Sequence, residues 1–286
     1  MSFRYQSARV QNDQDGSKEL ILNPRQLAVL SQTATHGVTD KYKQVSTLDV
    51  LNQLKTESGF LVKSVSVSGT RKGSKEGFQK HCVTLGRPDL ILKNVGDSRP
   101  EITIVNSHDG LKSFEVFLTV LRLVCTNGLK APTVIAGARL RHVGGDLIPR
   151  VFGAVDSITA ALPDVSNWIA DLNRTILSQD EQIQFATRAI QLLDLPQTET
   201  VSTQVDIRSA LRARRVADQG DSLWVTYNRL QENFLQGGVK YRTETIDANG
   251  LKSSRNNSTR HVQSIDTQIR LNSGLADLTK EFVKAA

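Results

Sequence analysis

The sequence predicts an α+β fold, with a β-β-β-α core, additional hairpins and a helical C-terminal half. Within residues 63–106, three segments alternate apolar and polar side chains, which is typical of half-buried strands. The core helix is predicted over residues 111–125, where apolar side chains recur at helical spacing. From residue 152 to residue 195 the apolar spacing again indicates helices. A sheet covered by a helix on one face leaves its other face, or its edge, available for a ligand.

The first two predicted regions are an N-terminal cap, residues 1–60, and the β-β-β-α core with a second hairpin, residues 61–151. Asp109 precedes the core helix and is expected to be its N-cap, because its carboxylate can accept from the first backbone amides. The elements predicted in these regions are a strand at 19–22, a helix at 47–58, a hairpin of 63–69 and 78–86, a strand at 102–105, the core helix, and a hairpin of 138–142 and 147–151.

The third predicted region, residues 152–286, is helical and carries a basic β-hairpin; it can also form one domain with the core. Ser178, followed three residues later by Glu181, predicts a helix that starts with a capping box. The polar residues 197–205 predict a linker or flexible loop. The remaining predicted elements are helices at 208–217, 223–235 and 269–284, and a hairpin that turns at 247–250.

Composition favours a soluble globular protein, since 38% of the 286 residues are hydrophobic and the mean hydropathy is −0.29. No apolar run reaches the roughly 18 residues of a transmembrane helix, and the N-terminus resembles neither a signal nor a transit peptide. We therefore expect a cytoplasmic location in a host cell and no membrane partner. Cys82 and Cys125 are too few for a disulfide framework or a zinc site, and we expect both to be buried as small hydrophobic residues.

The charge favours a polyanionic partner. Lys and Arg number 36 against 29 Asp and Glu, which gives a net charge of +7 and an isoelectric point of about 9.5. Basic residues concentrate in the first hairpin, in the helix predicted at 208–217 and in the hairpin of residues 240–260. Each cluster alone also fits an ordinary solvated surface, whereas convergence of the clusters on one face would favour a polyanion.

The sequence predicts neither a catalytic residue, nor a metal ligand, nor a cofactor. The five histidines form no HExxH motif, and no phosphate-binding GxxxxGK[ST] loop is present. Ser107, His108 and Asp109 are consecutive, whereas catalytic triads assemble from distant segments. A metal-dependent nuclease would need clustered carboxylates, for which the acidic residues have no recognisable spacing; it stays as an alternative function.

Two stretches of the chain resemble a family of phage- and plasmid-borne proteins known mainly as a domain of unknown function. The first runs from Arg99-Pro100-Glu101 through Asn106-Ser107-His108-Asp109-Gly110 to Cys125-Thr126-Asn127-Gly128-Leu129. The second includes Asn228-Arg229-Leu230-Gln231-Glu232-Asn233 and ends near Arg270-Leu271-Asn272. The resemblance covers roughly residues 60–280. Gly274-Leu275 stands where the family often has Leu-Trp, which affects local packing.

The predicted architecture, the basic hairpin and the mobile-element setting together resemble phage single-strand annealing proteins of the RecT, Redβ and Erf kind. That likeness implies an oligomeric ring or filament that binds single-stranded DNA and promotes annealing in recombination or replication without ATP, with a phage exonuclease or a single-strand binding protein as further partners. Trp224 and Tyr227 are expected in the core rather than as base-stacking residues. The expected phosphate-binding residues are Arg71, Lys72, Lys75, Arg139, Arg141, Arg214, Arg215, Lys240 and Arg242.

A function of a different class is also open. Mobile elements carry proteins that inhibit host defence or restriction systems by binding them, and a basic chain of this kind would grip a host enzyme. Such an inhibitor would copurify with a host protein and would be indifferent to DNA.

Overall fold

The structure, a computed structural model, divides the chain into two compact units, and each contains both helices and strands. The predicted α+β class is confirmed. Unit 1 comprises Met1–Lys93, Ser98–Leu121 and Thr133–Pro163, and unit 2 comprises Asn94–Asp97, Arg122–Pro132 and Asp164–Ala286. The described residues are 10–12, 18–34, 36–70, 73–90, 98–122, 129–130 and 137–283. None of the helices in these ranges is long and apolar enough to cross a membrane.

Unit 1 is built on one main sheet and a short separate ribbon. Its elements are β1 Val10–Asn12, β2 Lys18–Leu20, α1 Pro24–Leu30, α2 Thr47–Ser58, β3 Leu61–Val67, β4 His81–Gly86, β5 Ser98–Asn106, β6 Phe114–Arg122, β8 Gly137–Leu140 and α3 Leu147–Ala160. In the main sheet β3, β4, β5 and β6 are neighbours in that order, and β8 pairs with the first half of β6. Strands β1 and β2 form the ribbon. The predicted helix 47–58 and the predicted first hairpin are confirmed.

The helix predicted over residues 111–125 is wrong, because this part of the chain forms strand β6. Val116 and Val120 on one side of the strand and Phe117 on the other are all at most 2% exposed. A strand buried on both sides is apolar without a period of two, so its spacing does not distinguish it from a buried helix. Asp109 consequently caps a turn rather than a helix and accepts from the Leu111 amide at 3.2 Å. Residues 123–125 lie outside the described residues.

The second predicted hairpin is also wrong in its latter half. Strand β8 pairs with β6, and the chain from Leu147 onwards forms helix α3. Gly144 and Gly145 have φ angles of 71° and 35°, and the turn that they make places Asp146 as the N-cap of α3. The apolar spacing is helical only when the run is followed to Ile158, well beyond the five residues assigned to a strand.

Unit 2 packs its helices around one central helix, α7. Its elements are β7 Leu129–Lys130, α4 Leu162–Arg174, which begins at the boundary of the units, α5 Gln179–Ile190, β9 Val201–Val205, α6 Ile207–Ala210, α7 Leu223–Gln236, β10 Lys240–Ile246, β11 Lys252–Ser258 and α8 Ile265–Thr279. The side chains of α7 are almost all buried. Trp224 and Tyr227 are 4% and 0% exposed, so the prediction that both belong to the core is confirmed. The capping box of Ser178 and Glu181 is also confirmed, at the start of α5.

Two predictions in unit 2 are wrong. The linker predicted at 197–205 contains strand β9, which pairs with β10. Its side chains are only half-buried or exposed, so few apolar residues mark it as a strand. The helix predicted at 208–217 is limited to the single turn α6 and a 3₁₀ turn, Val216–Asp218. Between these turns, Arg214 donates to Asn233 at 2.7 Å, which holds the chain against α7 in a non-helical path.

Gly237, at the C-terminus of α7, provides a test of this packing. A methyl group there would lie 2.6 Å from the Arg260 carbonyl carbon and 2.7 Å from the Thr259 oxygen, and both belong to the backbone. We expect Gly237→Ala to lower the free energy of unfolding by roughly 3 kcal/mol or more, because steric overlap adds to the strain of a φ angle of 79°. Urea denaturation measures the change.

Gly250→Ala is the matched control. Gly250 has nearly the same φ angle, 77°, but a methyl group added there would have no atom within 4 Å. That substitution should cost only the conformational term, about 1 kcal/mol. Equal losses in the two variants would contradict the close approach at Gly237.

Candidate nucleic-acid interface

One face of the sheet in unit 2 is open to solvent and rich in hydrogen-bond donors. The strand order is β11-β10-β9, and Arg242 of β10 lies opposite Asn256 of β11 and Gln204 of β9. Directly opposed residues point to the same side, so the register defines the face. We call it the cationic face; it consists of Ser202, Gln204, Lys240, Arg242, Glu244, Ile246, Lys252, Ser254, Asn256 and Ser258.

The cationic face carries three positive side chains and one negative one. All of its side chains are exposed except that of Glu244, which is half-buried. Arg242 donates to the Ser254 hydroxyl at 3.0 Å and lies 3.6 Å from the Glu244 carboxylate. Within the described part of the chain, neither Lys240 nor Lys252 has an ion-pair partner. Their ammonium groups are therefore available to an external anion.

The opposite face of the same sheet is different in character. Tyr241, Thr243 and Val205 are half-buried there, and Arg255 is its exposed cation. Arg255 belongs to the same strand as Lys252 but points the other way, because neighbouring residues of a strand alternate between faces. The sheet therefore offers an internal control for any function of the cationic face.

Of the predicted binding residues of unit 1, the structure describes Lys75, Arg139 and Arg141. Lys75 lies 3.4 Å from the Asp109 carboxylate. Arg139 lies 3.4 Å from Glu115 and donates to the Ser113 hydroxyl at 3.3 Å. Arg141 is exposed. Arg71 and Lys72 lie outside the described residues.

Arg214 and Arg215 contact α7 instead of facing solvent together. Arg214 donates to the Asn233 side chain at 2.7 Å and to the Gly237 carbonyl, and Arg215 lies 2.6 Å from Glu232. These contacts fix the segment before α7 and use much of the hydrogen-bonding capacity of both guanidinium groups. Among the predicted residues that the structure describes, Lys240 and Arg242 are a pair that the cross-strand register places on one open sheet face.

Lys252 and its polar neighbours were not among the predicted binding residues. The signal that identifies them is the turn at 247–250, where Gly250 has a φ angle of 77°. Counting outwards from that turn pairs Ile246 with Lys252 and Arg242 with Asn256, which places Lys252 on the face of Arg242.

Unit 1 contains a second polar feature, a buried network around the Asn106-Ser107-His108 motif. His142 lies 2.9 Å from the Asn106 oxygen, and the Asn106 amide donates to Thr47 at 3.0 Å. His81 Nδ1 must donate to the Gln79 carbonyl, 3.0 Å away, so its Nε2 accepts from the Thr47 hydroxyl at 2.8 Å. The Asn106 amide, the Thr47 hydroxyl and His81 Nδ1 thus donate in one direction, and the chain ends at the Gln79 carbonyl. His142 faces two acceptors, the Asn106 oxygen and the Lys43 carbonyl at 3.1 Å, and a neutral ring donates to only one of them.

His108 lies beside this chain, with its ring centroid 5.0 Å from that of His81. Its Nδ1 is 2.7 Å from the Gln44 amide nitrogen, which is a donor, so its own proton is on Nε2. Burial lowers the pKa of His81 to about 3 and that of His108 to about 4, and both rings are neutral at pH 7. The buried Ser107 hydroxyl has no hydrogen-bond partner among the described residues.

The Ser107-His108-Asp109 sequence does not form a triad. His108 Nδ1 contacts Gln44, and the Asp109 carboxylate contacts Lys75 and the Leu111 amide. Across the ranges that the structure describes, no group of three or more His, Cys, Asp or Glu side chains is arranged to hold a metal ion. Cys82 is 7% exposed, as expected for a small buried residue, whereas Cys125 lies outside the described residues.

The buried histidines predict a pH dependence of stability. Below about pH 6.5, His81 and His108 are protonated in the unfolded state but stay neutral in the folded state. As the pH is lowered, the free energy of unfolding therefore decreases by up to about 1.4 kcal/mol per pH unit for each of these rings. Burial raises the pKa of Glu101 to about 7, which opposes one ring between about pH 4.5 and pH 7. Burial also lowers the pKa of His142, which adds to the loss. Urea denaturation should therefore show a net loss of at least about 1.4 kcal/mol per unit between about pH 6 and pH 5.

His108→Gln tests this assignment. Removing this buried ring should lower the slope between about pH 6 and pH 5 by about 1.4 kcal/mol per unit. His261→Gln, at an exposed position, is the control and should keep the original slope. An unchanged slope in His108→Gln would show that its ring is not the titrating group.

Comparisons with known proteins place the chain in a family. It is 28% identical over 248 residues to UPF0380 protein YafZ of Escherichia coli (strain K12), and 27% identical over 248 residues to UPF0380 protein YfjQ of the same strain; each comparison covers 87% of this chain and 85% of the relative. No solved structure matches. The model of the family described as Domain of unknown function (DUF932) matches residues 35–275, which includes the buried polar network and the cationic face. The chain therefore belongs to the DUF932 family.

Proposed function

We propose that the protein is an oligomeric single-stranded DNA-binding protein that promotes annealing without ATP, in recombination or replication of a phage or plasmid in the cytoplasm of its host. The observation that carries the proposal is the cationic face. Lys240, Arg242 and Lys252 share one open surface with serine, asparagine and glutamine side chains, the residue types that bind phosphate oxygens.

The composition of this face suits an annealing protein. It contains no aromatic side chain, so bases are not held by stacking there. Contacts to phosphates alone leave the base edges free to pair with a complementary strand. A single strand is flexible enough to follow the twist of a sheet. Other single-strand binders also hold the strand along an open β-sheet. Binding of this kind depends strongly on salt.

The small charge of the cationic face in a single copy favours binding by an oligomer. Three positive and one negative side chains give a net charge of +2 for each copy, which provides few phosphate contacts. Several copies on one strand would add their contacts at high effective concentration, and a ring or filament supplies that arrangement. A phage exonuclease or a single-strand binding protein is the proposed further partner.

Binding to labelled single-stranded and duplex oligonucleotides over a salt series tests the proposal. We expect preference for single strands and a decrease of log K with log salt of about 0.7 for each phosphate contact. Replacing Lys240, Arg242 and Lys252 together by alanine removes three contacts per copy, so the slope per copy should fall by about 2. Addition of a complementary strand, one strand carrying a donor dye and the other an acceptor, measures annealing, and mass photometry measures the size of the complex.

Arg255→Ala is the matched control, because it removes one exposed arginine from the same strand on the opposite face. It should leave affinity and salt slope close to those of the unmodified protein. The proposal fails if no oligonucleotide binds at low salt. The assignment of DNA binding to the cationic face fails if Arg242→Ala and Arg255→Ala weaken binding equally.

A further inference from the structure

Unit 2 contains a cavity of about 360 Å³ at the end of the sheet where β10 begins and β11 ends. Its floor is apolar and includes Phe234 and Leu271, each only 1% exposed. Its rim is polar and includes Tyr241, Thr267 and Arg260. This volume lies at the lower end of small-molecule sites, which run from about 300 to 1,000 Å³, and an apolar floor with a few polar groups is their usual lining.

Arg260 gives the cavity an available positive charge. The other arginine of the lining, Arg270, lies 2.6 Å from the Asp194 carboxylate and donates to the Leu192 carbonyl at 2.8 Å. Among the described residues, the Arg260 guanidinium has no hydrogen-bond or ion-pair partner. The lining thus holds two positive side chains and one negative one, and the uncompensated charge is that of Arg260.

The backbone that carries Arg260 is held firmly, which positions the side chain for an anion. Its carbonyl carbon lies close to Gly237, where a methyl group would be only 2.6 Å away. The preceding residue, Thr259, donates its amide to Val239 and accepts from the Gly238 amide, both at 2.9 Å. An arginine on a fixed backbone with a free guanidinium is suited to bidentate binding of a phosphate.

The aromatic side chains suit a flat ring. Tyr241 is half-buried, and its hydroxyl has no hydrogen-bond partner within the part of the chain that the structure describes. Phe234 and Leu271 form the buried apolar floor beside it. A nucleobase could therefore lie against these side chains and receive a hydrogen bond from the Tyr241 hydroxyl.

We propose that this cavity binds one unpaired nucleotide of the DNA strand, with its base on the Phe234 and Tyr241 side and its phosphate at Arg260. The assignment rests on the proposed single-strand binding and adds a second site to it. Lys240 and Ser258, at one end of the cationic face, are a register pair, and Arg260 follows Ser258 by two residues. Ser258, on the cationic face, and Tyr241, on the opposite face, both line the cavity. A strand that lies along the cationic face therefore enters the cavity by passing round this end of the sheet.

Calorimetry on the full chain with deoxyadenosine 5′-monophosphate tests the cavity directly. We expect saturable binding that is weaker for the nucleoside, which lacks the phosphate, and weaker for inorganic phosphate, which lacks the base. Arg260→Ala and Tyr241→Ala should each reduce the affinity for the nucleotide about tenfold, the size expected for a charge-assisted hydrogen bond or a stacking contact. Arg255→Ala, which lies outside both the cavity and the cationic face, should leave this affinity unchanged.

These experiments distinguish an incorrect assignment of the cavity from an incorrect proposed function. If oligonucleotides bind but the mononucleotide does not, the cavity assignment is overturned and the cationic face stands. If the mononucleotide binds and oligonucleotides do not, the assignment of that nucleotide to a DNA strand is overturned together with the proposed function. Equal loss of mononucleotide binding in Arg260→Ala and Arg255→Ala would also overturn it. Thermal unfolding of each variant confirms that it is folded, and Arg260→Lys replaces Arg260→Ala if the latter is not.

Discussion

The C-terminus of α7 is the point on which the arrangement of unit 2 depends. Arg214 donates to the carbonyl of Gly237, and Asn233 donates to the carbonyls of Ala210 and Arg212 at 2.7 and 2.9 Å. Asn233, Ala210 and Gly237 are buried, where an unmade hydrogen bond is costly. The same turn receives the backbone of Arg260, so one junction fixes the helix, the entry into β10 and the exit from β11. The cationic face and the cavity are open surfaces on a framework that this junction makes rigid.

Unit 1 achieves order in another way, through polar groups in its core. The chain from the Asn106 amide through Thr47 to His81 has one consistent direction, because the Gln79 carbonyl at its end can only accept. Such a network specifies a single arrangement of its members more strictly than apolar packing does, since each wrong rotamer leaves a buried group unpaired. The first of the two stretches that carry the family resemblance thus contributes to the packing of this core, and the second includes residues of the buried helix α7 of unit 2. The open, charged side chains of unit 2 form the candidate binding surface.

The parts of the fold that could be predicted are those with local physical signals. The capping box at Ser178, the amphipathic repeat of α7 and the glycine turn at 250 are each determined within a few residues. Strand β6 could not be distinguished from a helix in the sequence, because burial of both its faces removes the alternation of apolar and polar residues. Strand β9 is too polar for the sequence to indicate its pairing with β10. For the site, charge identified Lys240 and Arg242 but could not show that Arg214 and Arg215 bind side chains of α7, since both contacts are tertiary.

The hairpin tip at residues 247–250 is exposed, and a methyl group added at its Gly250 would have no atom within 4 Å. A side chain introduced at this tip would meet only solvent, and the strands on either side are held by seven cross-strand residue pairs. The tip is therefore a natural attachment point for a fluorescent reporter, at the far end of the sheet from the cavity. The fluorescence of a dye at that position would report the binding of a strand along the sheet. The dye would not occupy the surface that the strand contacts.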